Sequence, residues 1–214
     1  ELDIIPWIPI PSAEIAAQCA HALSQLYRLS TVYYFDDEIV VDYSNAIQYM
    51  TGLRELYLDS SEDHLLVPHL LQLLAPCYAA LKSLAIWSGS SITPAQLSEL
   101  GQGCCKLLTL YIHNPTSTSD AVLVELARSC SHLQQITLNS SEVTEEGVLA
   151  LAAHCRQLRE IHIPFITVTE ETVRQLAQHC RRLTELHVRV KQGENVYTHK
   201  KLTKRDIKAL REYA

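Results

Sequence analysis

The chain has 214 residues, 47% apolar and 20% charged, enough for a buried core and too apolar for a disordered tract. No apolar run approaches the ~18 residues of a membrane span, and the opening Glu1-Leu2-Asp3-Ile4-Ile5-Pro6 lacks the basic and apolar segments of a signal peptide. The formal charge of −6 is uneven: Lys191–Ala214 holds seven Lys/Arg against three Asp/Glu, leaving −10 on the first 190 residues, which disfavours nucleic acid as the main partner.

In chain order, Leu2-x-Ile4 reads as the remnant of a first strand. Leu26-x-x-Leu29-x-Thr31 is a weak second copy of the same pattern. The acidic run Asp36-Asp37-Glu38 is expected to open a helix leading to Met50, with its carboxylates at the positive end of the dipole. Then the pattern sharpens into Leu53-x-x-Leu56-x-Leu58, Leu81-x-x-Leu84-x-Ile86, Leu107-x-x-Leu110-x-Ile112, Leu133-x-x-Ile136-x-Leu138, Leu158-x-x-Ile161-x-Ile163 and Leu183-x-x-Leu186-x-Val188. The leading leucines stand 28, 26, 26, 25 and 25 residues apart, the signature of a repeat array.

Between these strands the apolar spacing turns helical, as in Leu97, Leu100, Cys104, Leu107 and Val148, Leu151, Cys155, Leu158. Thr93-Pro94-Ala95-Gln96 is a capping box with Pro at the first helical position. Thr144-Glu145-Glu146 and Thr169-Glu170-Glu171 place a cap and two acids at helix starts. Gly101, Ala127, Ala152 and Ala177 share one slot, which must lie where neighbouring helices approach closely. After Lys191 a basic linker and a C-terminal capping helix are expected over residues 191–214.

The string Thr-x-x-x-Val/Leu-x-x-Leu-Ala-x-x-Cys-x-x-Leu-x-x-Leu-x-Leu resembles the cysteine-containing class of leucine-rich repeat, common in F-box proteins and related adaptors. The likeness runs from Leu2 to about Val190. It implies an α/β solenoid, or horseshoe, with a parallel sheet of about eight strands on the concave face and helices on the convex face. Residues 1–190 form the array, its first repeat incomplete, so a fragment or processed chain is expected. The unfinished N-terminal edge is open to oligomerisation. In the class a Cys or Asn usually stands eight residues after the leading Leu. Here Ser61, Gly89, Pro115, Ser141, Ile166 and Lys191 stand there, so irregular turns are expected.

Cys77, Cys104, Cys130, Cys155 and Cys180 occupy one repeat position and read as small buried groups. Helix spacing of ~10 Å would hold them beyond disulfide reach. Cys19 fits that face less well, and Cys105 is read as an exposed thiol. Reduced cysteines and the absent leader point to the cytoplasm or nucleus. His154-Cys155, His179-Cys180 and His132 near Cys130 do not converge as zinc ligands, so no metal is expected. There is no Gly-rich phosphate loop, His-Glu-x-x-His or Gly-x-Ser-x-Gly, so neither catalysis nor a cofactor is expected.

Strand residues alternate faces, so those between the leucines project outward. The outward set that marks a partner site is Tyr57, Asp59, Trp87, Tyr111, His113, Asn139, His162, His187 and Arg189. Tyr and Trp are frequent interface anchors, although aromatics also stack across an exposed sheet for stability alone. The expected function is protein binding in an intracellular adaptor, including the role of substrate receptor for a ubiquitin ligase. The alternatives are a structural scaffold of a cytoskeletal, organellar or chromatin complex, and a receptor gated by a small molecule.

Overall fold

A computed structural model of the chain describes residues 13–32, 49–59, 71–72, 74–87, 92–113, 119–139, 142–191 and 197–212. Within them lies one eight-stranded sheet whose spatial order is its chain order: β1 (Arg28–Val32), β2 (Glu55–Asp59), β3 (Ser83–Trp87), β4 (Thr109–Ile112), β5 (Gln135–Leu138), β6 (Glu160–Val168), β7 (Glu185–Lys191) and β8 (Tyr197–Thr203). The first seven are parallel. Their register aligns the repeated pattern, Leu56 with Leu84, Leu84 with Leu110, Leu110 with Ile136, and Ile136 with Ile161.

The helices whose full extent is described are α1 (Ala13–Gln18), α2 (Ala20–Ser24), a 3-10 turn (Ala75–Ala80), α3 (Pro94–Gly103), α4 (Asp120–Ser129), α5 (Glu145–His154), α6 (Glu170–His179) and α7 (Lys204–Glu212). Parallel strands need a crossover between them, and from β3 to β7 each crossover carries one helix. Consecutive helices α3 to α7 pack side by side. One continuous core joins the strand leucines to the helix leucines. Because the helices cover a single face, β4 and β5 alternate buried and half-buried residues rather than running apolar throughout. No helix among the described residues is long and apolar enough to cross a membrane.

The small-residue slot is as tight as the repeat implies. A Cβ on Gly101 would meet Leu126 Cδ2 at 2.9 Å, and Ala127, Ala152 and Ala177 are buried. Helix starts are joined by a ladder that the motif alone does not show. Asp120, in the first turn of α4, accepts the backbone N–H and hydroxyl of Thr144, the cap of α5, at 2.8 and 2.5 Å. Glu145, opening α5, does the same for Thr169, the cap of α6, with the N–H at 2.6 Å. Each acid therefore satisfies orphan donors of the next helix, beyond favouring its own dipole.

The cysteines form a comparable series. Cys130 Sγ donates to Cys104 O at 3.4 Å, Cys155 Sγ to Ala127 O at 3.4 Å and Cys130 O at 3.6 Å, and Cys180 Sγ to Cys155 O at 3.8 Å. They thus lie closer than helix spacing implies, because they stand where the helix turns in toward the sheet. All seven thiols are free, with Cys19 and Cys105 exposed and the other five buried. Burial pushes Cys130 and Cys180 up to about 11 and Cys155 to about 12, so these thiols stay protonated.

Three further expectations change. Residues 197–203, expected as linker, form β8, which pairs antiparallel with β7 and needs no crossover to do so. Cys77 lies on a 3-10 turn rather than a full helix, where Pro76 removes a backbone donor. In β6 the register with β7 jumps between Ile163 and Thr167, so the strand runs on past its repeat motif and Thr167 stands beside Arg189. Phe165 is thrown outward, 54% exposed, while Ile166 is buried. The strand expected at Leu2–Ile4, the helix start at Asp36-Asp37-Glu38, and Ser61, Gly89, Pro115 and Ser141 lie outside the described residues.

Candidate partner-binding face

The face of the sheet opposite the helices carries the side chains between the buried leucines. Two side-chain groups stand on it. In the first, Ala85 is in register with Tyr57 on one side and Tyr111 on the other. Trp87, two residues on, leans toward the next strand. The Trp87 and Tyr111 ring centroids are 4.6 Å apart at 36°, Trp87 and His113 are 5.6 Å apart, and Tyr111 and His113 are 6.4 Å apart and nearly parallel. Asn139 Nδ2 lies 2.7 Å from His113 Nδ1 and fixes the imidazole from the following strand.

Trp87 remains 43% exposed despite these contacts, so much of its apolar surface faces solvent. Partial burial raises the Tyr111 phenol above its ordinary range, leaving it neutral and able to donate a hydrogen bond. Asp59 stands in register beside Trp87 at the end of β2. Tyr57 belongs to a separate contact at the N-terminal side. The Arg28 guanidinium sits 5.4 Å from its ring centroid and is held by Glu55 at 2.6 Å.

The second group is electrostatic. His162 and His187, in register on β6 and β7, stack with centroids 4.3 Å apart at 13°. Glu185 Oε1 accepts from His187 Nε2 at 2.8 Å and from Lys201 Nζ at 2.9 Å, and lies 4.0 Å from His162 Nε2. Hydrogen bonds from Lys201 and His187 hold the half-buried Glu185 carboxyl down to about 2. Burial, then the neighbouring His187, lowers His162, so it is neutral at pH 7. Its Nε2 is buried without a hydrogen-bond partner among the described residues.

His162, Glu185 and His187 bring three ligand atoms within 4.8 Å of one another, a grouping that sequence spacing did not mark. The stacking argues against a shared ion. Imidazole lone pairs lie in the ring planes, and two nearly parallel planes this far apart hold no common point ~2.1 Å from both nitrogens. Glu185 is also occupied by Lys201.

The nine expected site residues therefore divide. Trp87, Tyr111, His113 and Asn139 form one contiguous group, with Asp59 in backbone register beside Trp87. His162 and His187 form another, Tyr57 stands with Arg28, and Arg189 lies past the β6 bulge beside Thr167. Sequence reasoning missed Lys201, because β8 was not foreseen, and Phe165, because the bulge was not. It also passed over Glu185, which does stand in the repeat position before the second apolar residue. The chain matches no protein-family model and no curated protein sequence.

Proposed function

We propose that the chain is a leucine-rich-repeat solenoid of the cysteine-containing class whose concave sheet face binds a partner protein. The observation that carries this reading is the Trp87–Tyr111–His113 ring cluster, with Trp87 43% exposed on a sheet face that no described helix covers. Rigid aromatics with few rotatable bonds lose little entropy on binding, and such anchors dominate interface energetics. The fitting partner is a protein segment that inserts an apolar side chain over Trp87. It would also offer a backbone or side-chain acceptor to the Tyr111 hydroxyl. The likeness of the repeat to F-box adaptors adds the narrower reading of a substrate receptor for a ubiquitin ligase, acting in the cytoplasm or nucleus. That role rests on analogy of fold and not on any residue of the site.

The test is affinity capture with photo-crosslinking from position 137, in register beside Tyr111 on the same sheet face, and from Arg128 on α4 as the opposite-face control. A partner crosslinked from position 137 alone, and lost on Trp87→Ala/Tyr111→Ala with unchanged circular dichroism, is the expected result. A partner that survives the double substitution, or crosslinks only from position 128, would remove the sheet face from the account.

A further inference from the structure

A second feature lies away from the aromatic group. A cavity of about 470 Å³ opens between the turns entering β6 and β7 and the helix α7, and Arg159, Arg181, Arg182, Lys204, Lys208 and Arg211 line it. These six cations face one carboxylate, Glu160, in a chain whose net charge is −6. Lys204, Lys208 and Arg211 recur at helical spacing and so share one face of α7. That helix is seated by the buried Ile207 and by Arg211, which donates to Ala177 O and, at 2.9 Å, to Cys180 O.

The negative C-terminal end of α6 accounts for cations at positions 181 and 182. It does not account for Lys204, which opens α7 at the positive end of that helix, or for Arg159, one repeat earlier. Arg159, Arg181, Arg182 and Lys204 make no ion pair among the described residues. Six cations against one carboxylate leave an excess of positive charge that an anion would offset.

We infer that this cavity binds a compact polyphosphate. Guanidinium forks match phosphate oxygens two at a time, and lysines add point charges. The volume falls within the roughly 300–1,000 Å³ of small-ligand sites. A nucleic-acid strand would have to continue beyond the cavity along a body carrying −10 over its first 190 residues. A bound polyphosphate bridges the α7 face to the turns before β6 and β7, and so pins the C-terminal helix to the sheet.

The probe is inorganic tripolyphosphate, followed by calorimetry at low salt with the full chain. One saturable site is expected, weakened roughly tenfold or more by Arg181→Gln/Arg182→Gln and likewise by Arg159→Gln/Lys204→Gln. Both variants keep Arg211, so the helix remains seated, which circular dichroism checks. Lys106→Gln/Arg128→Gln removes the same charge outside the cavity and is expected to bind as the wild type does. Absence of a saturable signal, or an equal loss in that control, overturns the inference. A 20-nucleotide RNA binding more tightly than tripolyphosphate through the same arginines overturns it in favour of a nucleic-acid groove.

Discussion

At the scale of single residues, environment separates side chains that look equivalent in the sequence. Five of the seven cysteines are buried and donate to, or pack against, the preceding repeat, while Cys19 and Cys105 are exposed. Native protein treated with excess N-ethylmaleimide is therefore expected to label those two quickly and the five only on unfolding. Mass spectrometry of the digested product would count the sites, and early modification of Cys155 would contradict its burial. The histidine pair gives a second prediction. His162 is held below its ordinary 6.5 among His187, Glu160, Glu185 and Lys201, so the unfolded chain binds its proton more readily than the folded one does. Its contribution is complete above pH 6.5 and lost as pH falls below that value. Glu185, lowered from 4.5 to about 2, adds a loss in the same direction at lower pH. Thermal melts from pH 7.5 to 5 should show a falling midpoint that is blunted in His162→Asn; parallel curves for the two proteins would refute the assignment.

At the scale of elements, the helix starts matter more than helix propensity. Gly147 lies in the first turn of α5, and its N–H donates to Asp120 at 3.2 Å. Propensity alone predicts that Gly147→Ala stabilises by ~1 kcal/mol. An added methyl, however, would lie 2.5 Å from Asp120 Oδ1 and displace the carboxylate that also satisfies Thr144. Net destabilisation of about 1–2 kcal/mol is expected in urea unfolding, the cost of a lost cap. A stabilised variant would mean that the Asp120 ladder contributes nothing. The strands and the helices α3 to α6 were legible because two periodicities alternate with capping residues between them. The ladder was not, since Thr144 and Asp120 meet across 24 positions. The β6 bulge was hidden because the repeat motif ends at Ile163, and beyond it an irregular turn was expected at Ile166 where the strand in fact continues with its register shifted.

At the scale of the whole molecule, the sheet ends differently from how it proceeds. β8 reverses direction against β7, and α7 places Ile207 over the last of the core. Removing residues 197–212 would leave β7 with unpaired backbone groups and uncover the end of the core. Such a truncation is expected to self-associate or lose cooperative melting, read by light scattering after gel filtration. A monomer with an unchanged midpoint would show the end structure to be dispensable. Of the candidate face, the aromatic residues were recognisable from their repeat positions. Their grouping was not, because it depends on how far each ring leans across the strands, which repeat position does not set.

Strand order that copies chain order also dictates the response to tension. Among the described residues each strand is bonded only to its predecessor and its successor in the chain, so no described strand is clamped by a remote one. Pulled from its ends, this sheet offers no single mechanical lock among those residues. It peels, one unit of 25–28 residues after another, each release paying out roughly 90 Å of chain. Extension of this kind is graded, and the units still folded keep their part of the sheet while their neighbours are drawn away.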